Sequence, residues 1–399
     1  KKLGVPVVPI HRAVLTEPQN GKDLAPKLHP DNPKAQKIVE ESMSSRAACF
    51  WATECGRGCS IRANYQSTTV HIPPADATGN LDIIADAHVR EVIVGKDGKA
   101  KGVLFIDKTT GKEERVKGKA VVLAASSGET VRILLNSASG KGISNSSGLV
   151  GKYIMDTVGS DMSGQIPALE NLPAHNDDGA GGCHFYSPWW LYQEQKAGKM
   201  DFARGYHIEI SGTRGMPKGN NPVPGHVLQG LYGTELKEAA RRYYGSFIHI
   251  ACRGEMIPNE GSFAELDPEV KDKWGIPVMK WHWKWSDHEW NMAVHAQKTF
   301  AEIFESAGGK GLFDPKRDPK KTLLKGGQVI HEVGGAIMGA DSKKSVCNQW
   351  NQTWDIKNLL LCDGAPFASN ADKNPTETIM ALAWRAADRL IEQARKGNL

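Results

Sequence analysis

Two stretches decide how this chain is read: Ile330-His331-Glu332-Val333-Gly334-Gly335-Ala336-Ile337-Met338-Gly339 and Asn374-Pro375-Thr376-Glu377. A histidine just before a Gly-Gly turn can come close to a bound ring, because glycine lacks the Cβ that would hold the backbone away. In the second stretch, Asn is a strong helix N-cap, Pro is favoured at the first helical position, and Glu suits the first turn. Met380, Ala383, Trp384, Ala387 and Leu390 then recur at helical spacing, which predicts a helix over 375–395. The start of such a helix carries unpaired N–H groups and the positive end of the dipole, and so favours negative charge.

Working outward, Leu359-Leu360-Leu361-Cys362 is a short apolar run ending at Asp363-Gly364. Ala120-Val121-Val122-Leu123-Ala124-Ala125, bounded by Ser126-Ser127-Gly128, suits a parallel strand buried on both faces. A helix over 129–136 follows, with Val131, Leu134 and Leu135 on one side. Strand, small-residue turn and helix make half of a nucleotide-binding unit. Before it, runs at 81–85, 88–94 and 103–107 predict a three-stranded meander, with turns at Asp97-Gly98 and Thr110-Gly111. Residues 1–45 read as mostly irregular, with a short helix near 32–42.

The stretch 156–325 is richer in tryptophan and predicts antiparallel strands at 206–210, 246–253 and 278–285. In the last of these, Trp281, Trp283 and Trp285 alternate and would share one face. Ser286 and Glu289 form a capping box opening a helix to about 307, closed by Gly308-Gly309. The pattern is α/β plus α+β. Residues 1–155 and 326–399 would form a Rossmann-like nucleotide domain, and 156–325 an antiparallel-sheet substrate domain. Of 399 residues, 24% are charged and 40% hydrophobic, with net charge +5. The basic residues are scattered, so no nucleic-acid face is read, and no apolar run reaches the length of a membrane span.

The ordered set H-x-x-G-G-x-x-M-G at His331–Gly339, N-L-x-x-x-D-G at Asn358–Gly364 and N-P-T-x-T-I-x-A-L-A at Asn374–Ala383 resembles the carboxy-terminal signature of the glucose–methanol–choline (GMC) oxidoreductases. Within that family it is similar to catalytic subunits of bacterial FAD-dependent sugar, gluconate and glucoside dehydrogenases. The resemblance implies an FAD enzyme in which His331 takes the hydroxyl proton of a carbohydrate-like substrate while a hydride leaves the same carbon for the flavin. Asn374 would hold the hydroxyl. It further implies cofactor contacts at Val89 (backbone to adenine), Asp363, Gly364, Asn374, Pro375 and Thr376, a small accessory subunit, a cytochrome c-type electron acceptor and a periplasmic location. One departure stands out: no G-x-G-x-x-G fingerprint follows an amino-terminal strand, and Gly179-Ala180-Gly181-Gly182 does not supply it. The expectation is a missing first part of the FAD domain.

Three of the seven cysteines, Cys49, Cys55 and Cys59, fall within eleven residues, with Gly56 and Gly58 between them. Three thiolates suit a [3Fe–4S] cluster better than zinc, which wants four ligands. The resemblance places such a cluster between flavin and cytochrome. The alternatives are an oxidase with uncoordinated cysteines that passes electrons to oxygen, and a non-catalytic Fe–S or scaffold subunit. His175, His184 and His207 have no metal-ligand spacing.

Overall fold

A computed structural model describes residues 3–50, 55, 58–173, 184–212, 223–312 and 318–399. Gly56, His175, the glycine run 179–182 and Cys183 lie outside the described residues.

Alternating apolar residues build a six-stranded sheet in the order Val8–Pro9, Phe185–Ser187, Tyr206–Gly212, Phe247–Gly254, Val158–Gln165, Lys310–Gly311. Every pairing in it is antiparallel. Val158, Met162, Tyr206, Ile208, Ile250 and Cys252 face the Asp287–Ser306 helix, which buries Met292, Ala293, Ala296, Phe300 and Phe304 against them. Glycine sets how closely helix and sheet approach. A Cβ at Gly164 would stand 2.3 Å from the Phe304 ring, and one at Gly254 2.3 Å from the Met292 sulfur. The expected capping box opens this helix, with the Ser286 N–H donating to Glu289 at 2.7 Å.

A second core surrounds a parallel pair, Val121–Leu123 with Leu359–Leu361. The Ser127–Asn136 helix packs on it through Val131, Ile133 and Leu134. Asn358 joins this pair to the meander. Its amide donates to the carbonyls of Ala100 and Lys119, both at 2.8 Å, and accepts from the Ala100 N–H at 2.9 Å.

Several expectations change. The meander consists of Ala87–Val94, Ala100–Asp107 and Glu113–Lys117. The run 81–85 is not a strand, although Ile83 and Ile84 carry β propensity. Ile83 is 63% exposed, so nothing buries the face that would hold it in a ladder. Val122 is 46% exposed although its neighbour Leu360 is buried, so the Val121–Leu123 strand is covered on one face only. Residues 1–45 hold two helices, Gly21–Leu28 and Pro33–Ser44, the latter capped by Asn32. Val8–Pro9 edges the six-stranded sheet, so the amino-terminal stretch crosses the boundary expected at 155. The Phe263–Lys271/Pro277–His282 hairpin docks on the Ser127–Asn136 helix, where Arg132 binds Asp272 at 2.6 Å and the Pro277 carbonyl at 2.8 Å.

Candidate active site

His331 sits on a loop fixed from beneath by a residue that sequence patterns did not single out. Asp156, fully buried just before the Val158–Gln165 strand, accepts the N–H groups of Thr157 (2.8 Å) and His331 (3.0 Å) on one oxygen. Its other oxygen accepts those of Gly327 (3.1 Å) and Val329 (3.3 Å). Between two of these anchors Ile330 adopts φ +63°, a conformation β-branched residues rarely hold, and one that costs about 1–3 kcal/mol. The bonds on either side of Ile330 hold it there and aim the next residue, His331. Burial pushes the Asp156 carboxyl above its usual range against the pull of these N–H groups.

The imidazole is half-buried between two partners. Nε2 lies 3.1 Å from Asn374 Nδ2, and Nδ1 lies 3.2 Å from Thr157 Oγ1. An amide nitrogen only donates, so Nε2 accepts; Nδ1 then carries the proton and donates to Thr157. This tautomer leaves a lone pair where a hydroxyl proton could be taken. Burial lowers the His331 pKa below the ordinary histidine value, opposed by the nearby Asp156 charge, which keeps the ring neutral and basic at neutral pH.

Asn374 departs from its expected role as helix cap. The terminal helix is Thr376–Arg395, and the residue preceding it is Pro375, already at φ −78°, ψ −11°. The Ile379 N–H donates to the Pro375 carbonyl, so Asn374 lies one position outside the helix. It turns to His331 instead. Pro375 is buried beneath it and Thr376 is exposed on the first turn.

The Ser127–Asn136 helix begins just beyond the carboxyl end of the parallel pair, with Ser126 at φ +72° and no side-chain cap, so its first N–H groups can receive an anion. The Ser127 hydroxyl donates to the Gly334 carbonyl at 2.7 Å and brings the histidine loop to the same crevice. A cleft of about 610 Å³ beside it is lined by Trp281, Trp283, Trp285, Lys325, Gly326, Gly327 and Glu332. Trp283 Nε1 is buried there without a hydrogen-bond partner among the described residues. The predicted strand of the three indoles ends at His282, yet all three still line this one cleft. Val89 lies on the meander's edge strand, next to a bulge at Arg90 that takes backbone groups out of the ladder. Asp363 is committed within the protein, accepting from Thr130 Oγ1 at 2.5 Å and from the Ala365 N–H at 2.8 Å. Asp363-Gly364 therefore offers a cofactor backbone rather than charge. These residues fit a flavin dinucleotide.

The cysteines expected to hold a cluster are not brought together among the described residues. Cys49, Cys55 and Cys59 are half-buried on the amino-terminal loop. Among the described residues, no three His, Cys, Asp or Glu side chains are arranged to hold a metal. Cys59 Sγ accepts the Asn64 N–H at 3.4 Å, and the Cys49 N–H donates to the Leu15 carbonyl at 2.8 Å.

Comparison with known proteins agrees with this geometry. Residues 32–162 and 258–383 match the amino- and carboxy-terminal profiles of the GMC oxidoreductases. The chain belongs to the GMC oxidoreductase family. It is 31% identical over 325 residues to 2-methyl-1,2-propanediol dehydrogenase of Mycolicibacterium austroafricanum, covering 80% of this chain and 56% of that one. It is 28% identical to the fructose dehydrogenase large subunit of Gluconobacter japonicus, over 92% of this chain and 64% of that one. This GMC chain thus spans between 56% and 64% of the length of those two relatives. Formate oxidase of Aspergillus oryzae shares its fold, with TM-score 0.59 at 14% identity over 85% of this chain and 64% of the other. Among the described residues, no helix is long and apolar enough to cross a membrane.

Proposed function

We propose that this GMC protein is an FAD-dependent dehydrogenase that oxidises a hydroxyl of a sugar, sugar acid or glycoside. The observation that carries the reading is the convergence of His331 Nε2 and Asn374 Nδ2 to 3.1 Å from opposite ends of a 43-residue separation. The names of relatives support the substrate class: a fructose dehydrogenase large subunit and a gluconate 2-dehydrogenase flavoprotein. Bound FAD supplies the hydride acceptor. This chain's residues handle the proton and the orientation. A substrate hydroxyl takes the place between Asn374 and His331, and the amide holds its oxygen. Nε2, kept as the lone-pair nitrogen by the Nδ1–Thr157 bond, accepts its proton. The Asp156 clamp keeps the ring from swinging away as it becomes charged. Anaerobic mixing of the flavin-loaded protein with fructose, gluconate and simple glycosides tests this: bleaching of the flavin band by at least one of them is expected, and none would refute it.

Within the same proposal, electrons leave to a cytochrome c-type acceptor with a small accessory subunit in the periplasm. The cysteine spacing is the argument for a [3Fe–4S] centre. Among the described residues no ligand set is assembled, so no electron path is drawn through it, and iron and acid-labile sulfide analysis decides. An oxidase using oxygen is the second reading. It is favoured by likeness to a C-glycoside 3-oxidase of Arthrobacter globiformis at 24% identity. Oxygen consumption without an added acceptor separates the two. A non-catalytic scaffold would release no flavin on denaturation.

A further inference from the structure

We infer that His207 is a positioning residue for the dyad: as an imidazolium held between Asp372 and Glu209, it ties the loop carrying Asn374 to the six-stranded sheet. The inference rests on the dehydrogenase reading above for its kinetic consequence, but not for its structural one.

His207 is 2% exposed on the Tyr206–Gly212 strand. Its Nδ1 lies 3.2 Å from Asp372 Oδ2 and its Nε2 3.4 Å from Glu209 Oε1. A neutral imidazole carries one N–H and would turn a lone pair toward the second carboxylate. Only the doubly protonated ring donates to both. Asp372 stands two residues before Asn374, whose amide makes no bond to its own helix. The His207–Asp372 bond is thus an anchor for that amide from outside its loop.

The charges around the ring are accounted for on each side. From its own strand comes Glu209, which also meets Arg253 at 3.4 Å and His184 at 3.6 Å. Arg253 is the cross-strand neighbour of His207. Tyr186, on the other flanking strand, presents its ring edge-on at 6.0 Å. From the loop come Asp372 and Lys373, whose Nζ binds Asp372 and lies 3.4 Å from Nδ1. Lys373 is the cation opposing a charged ring, and Asp372 holds it in place. Burial works against the charge, but the bonds to Asp372 and Glu209 overcome it and leave the His207 pKa above its ordinary value. A raised histidine pKa means the latch is complete below the ordinary value and is lost as pH rises through the folded one.

The test is histidine side-chain NMR on the full, flavin-loaded protein, with kcat and KM measured against pH on the same samples. Asn374 donates to the neutral form of His331 and so depresses its pKa; Asn374→Ala should raise the His331 titration. His207→Gln should raise it as well, in part by removing a cation that itself lowers the His331 pKa, and should in addition shift the Asn374 side-chain amide resonances and abolish the alkaline limb of kcat/KM. With KM little altered, kcat should fall roughly ten- to hundredfold, the cost of a misplaced catalytic group. Glu209→Gln, which keeps the ring, should move the alkaline limb down by about one pH unit. If Asn374→Ala moves the His331 titration while His207→Gln and Glu209→Gln leave it and the alkaline limb unchanged, His207 does not position the dyad. If no form turns over any substrate, the dehydrogenase reading fails, and the Asn374 side-chain amide resonances still decide: a shift in His207→Gln supports the anchor, and unchanged resonances mean that His207 acts on His331 through charge alone.

Discussion

The cysteine loop and the His331–Asn374 pair make an instructive contrast. Three thiols within eleven residues are close by necessity, yet among the described residues they form no ligand set. Two residues 43 positions apart meet at 3.1 Å. Closeness in sequence leaves direction open, because local backbone bonds decide where each side chain points. The dyad converges because long-range structure aims it: Asp156 fixes one loop, and the start of the Thr376–Arg395 helix fixes the other.

The largest effect belongs to the base. His331→Ala should lower turnover by ~10²–10⁴-fold with flavin content unchanged. Equal loss of bound flavin, measured by release on denaturation, would make the residue structural. Asn374→Ala should cost ~10²-fold in kcat, the scale of losing one donor on a reacting oxygen. Because Asn374 does not cap its helix, the same change should leave thermal stability within ~0.5 kcal/mol, whereas losing a working cap costs about 0.5–2 kcal/mol.

Asp156→Asn sharpens the contrast by loosening the dyad's clamp. An amide nitrogen cannot accept, so two of the four N–H groups lose their acceptor, and chemical denaturation should show about 2–4 kcal/mol less stability. For pH, the depressed His331 pKa means the ring stays basic on the acid side of the ordinary histidine value. The acid limb of kcat/KM should therefore lie below 6.5, the ordinary histidine pKa. A limb above it would place His331 in a different environment. The smallest effect is expected in the cysteine loop: Cys55→Ser should leave the rate of flavin reduction by substrate unaltered in stopped flow. A slowed reduction would tie that loop to the dyad.

Much of the site was legible in the chain because its motifs couple chemistry to local structure. The Gly-Gly turn after His331, the Asn-Pro start of the last helix and the Ser286–Glu289 box each state a backbone conformation as well as a side chain. Asp156, Thr157 and His207 were not legible. Each has a deciding partner more than 160 residues away (His331 for Asp156 and Thr157, Asp372 for His207), and an aspartate that accepts from backbone N–H groups leaves no residue-type pattern at the other end. The run 81–85 misled for the opposite reason: β propensity without a buried face makes no strand. Asn374 was read as a cap as well as a catalytic group because its residue type serves both purposes, and only its bond to His331 tells them apart.

In the proposed reaction His331 and Asn374 act together on one hydroxyl. Single-turnover flavin reduction by substrate, compared across wild type, His331→Ala, Asn374→Ala and the double variant, tests this most directly. The two losses should fail to multiply, with the double variant reduced about as slowly as His331→Ala alone. Fully multiplicative losses, or His331→Ala reducing its flavin at the wild-type rate, would contradict it.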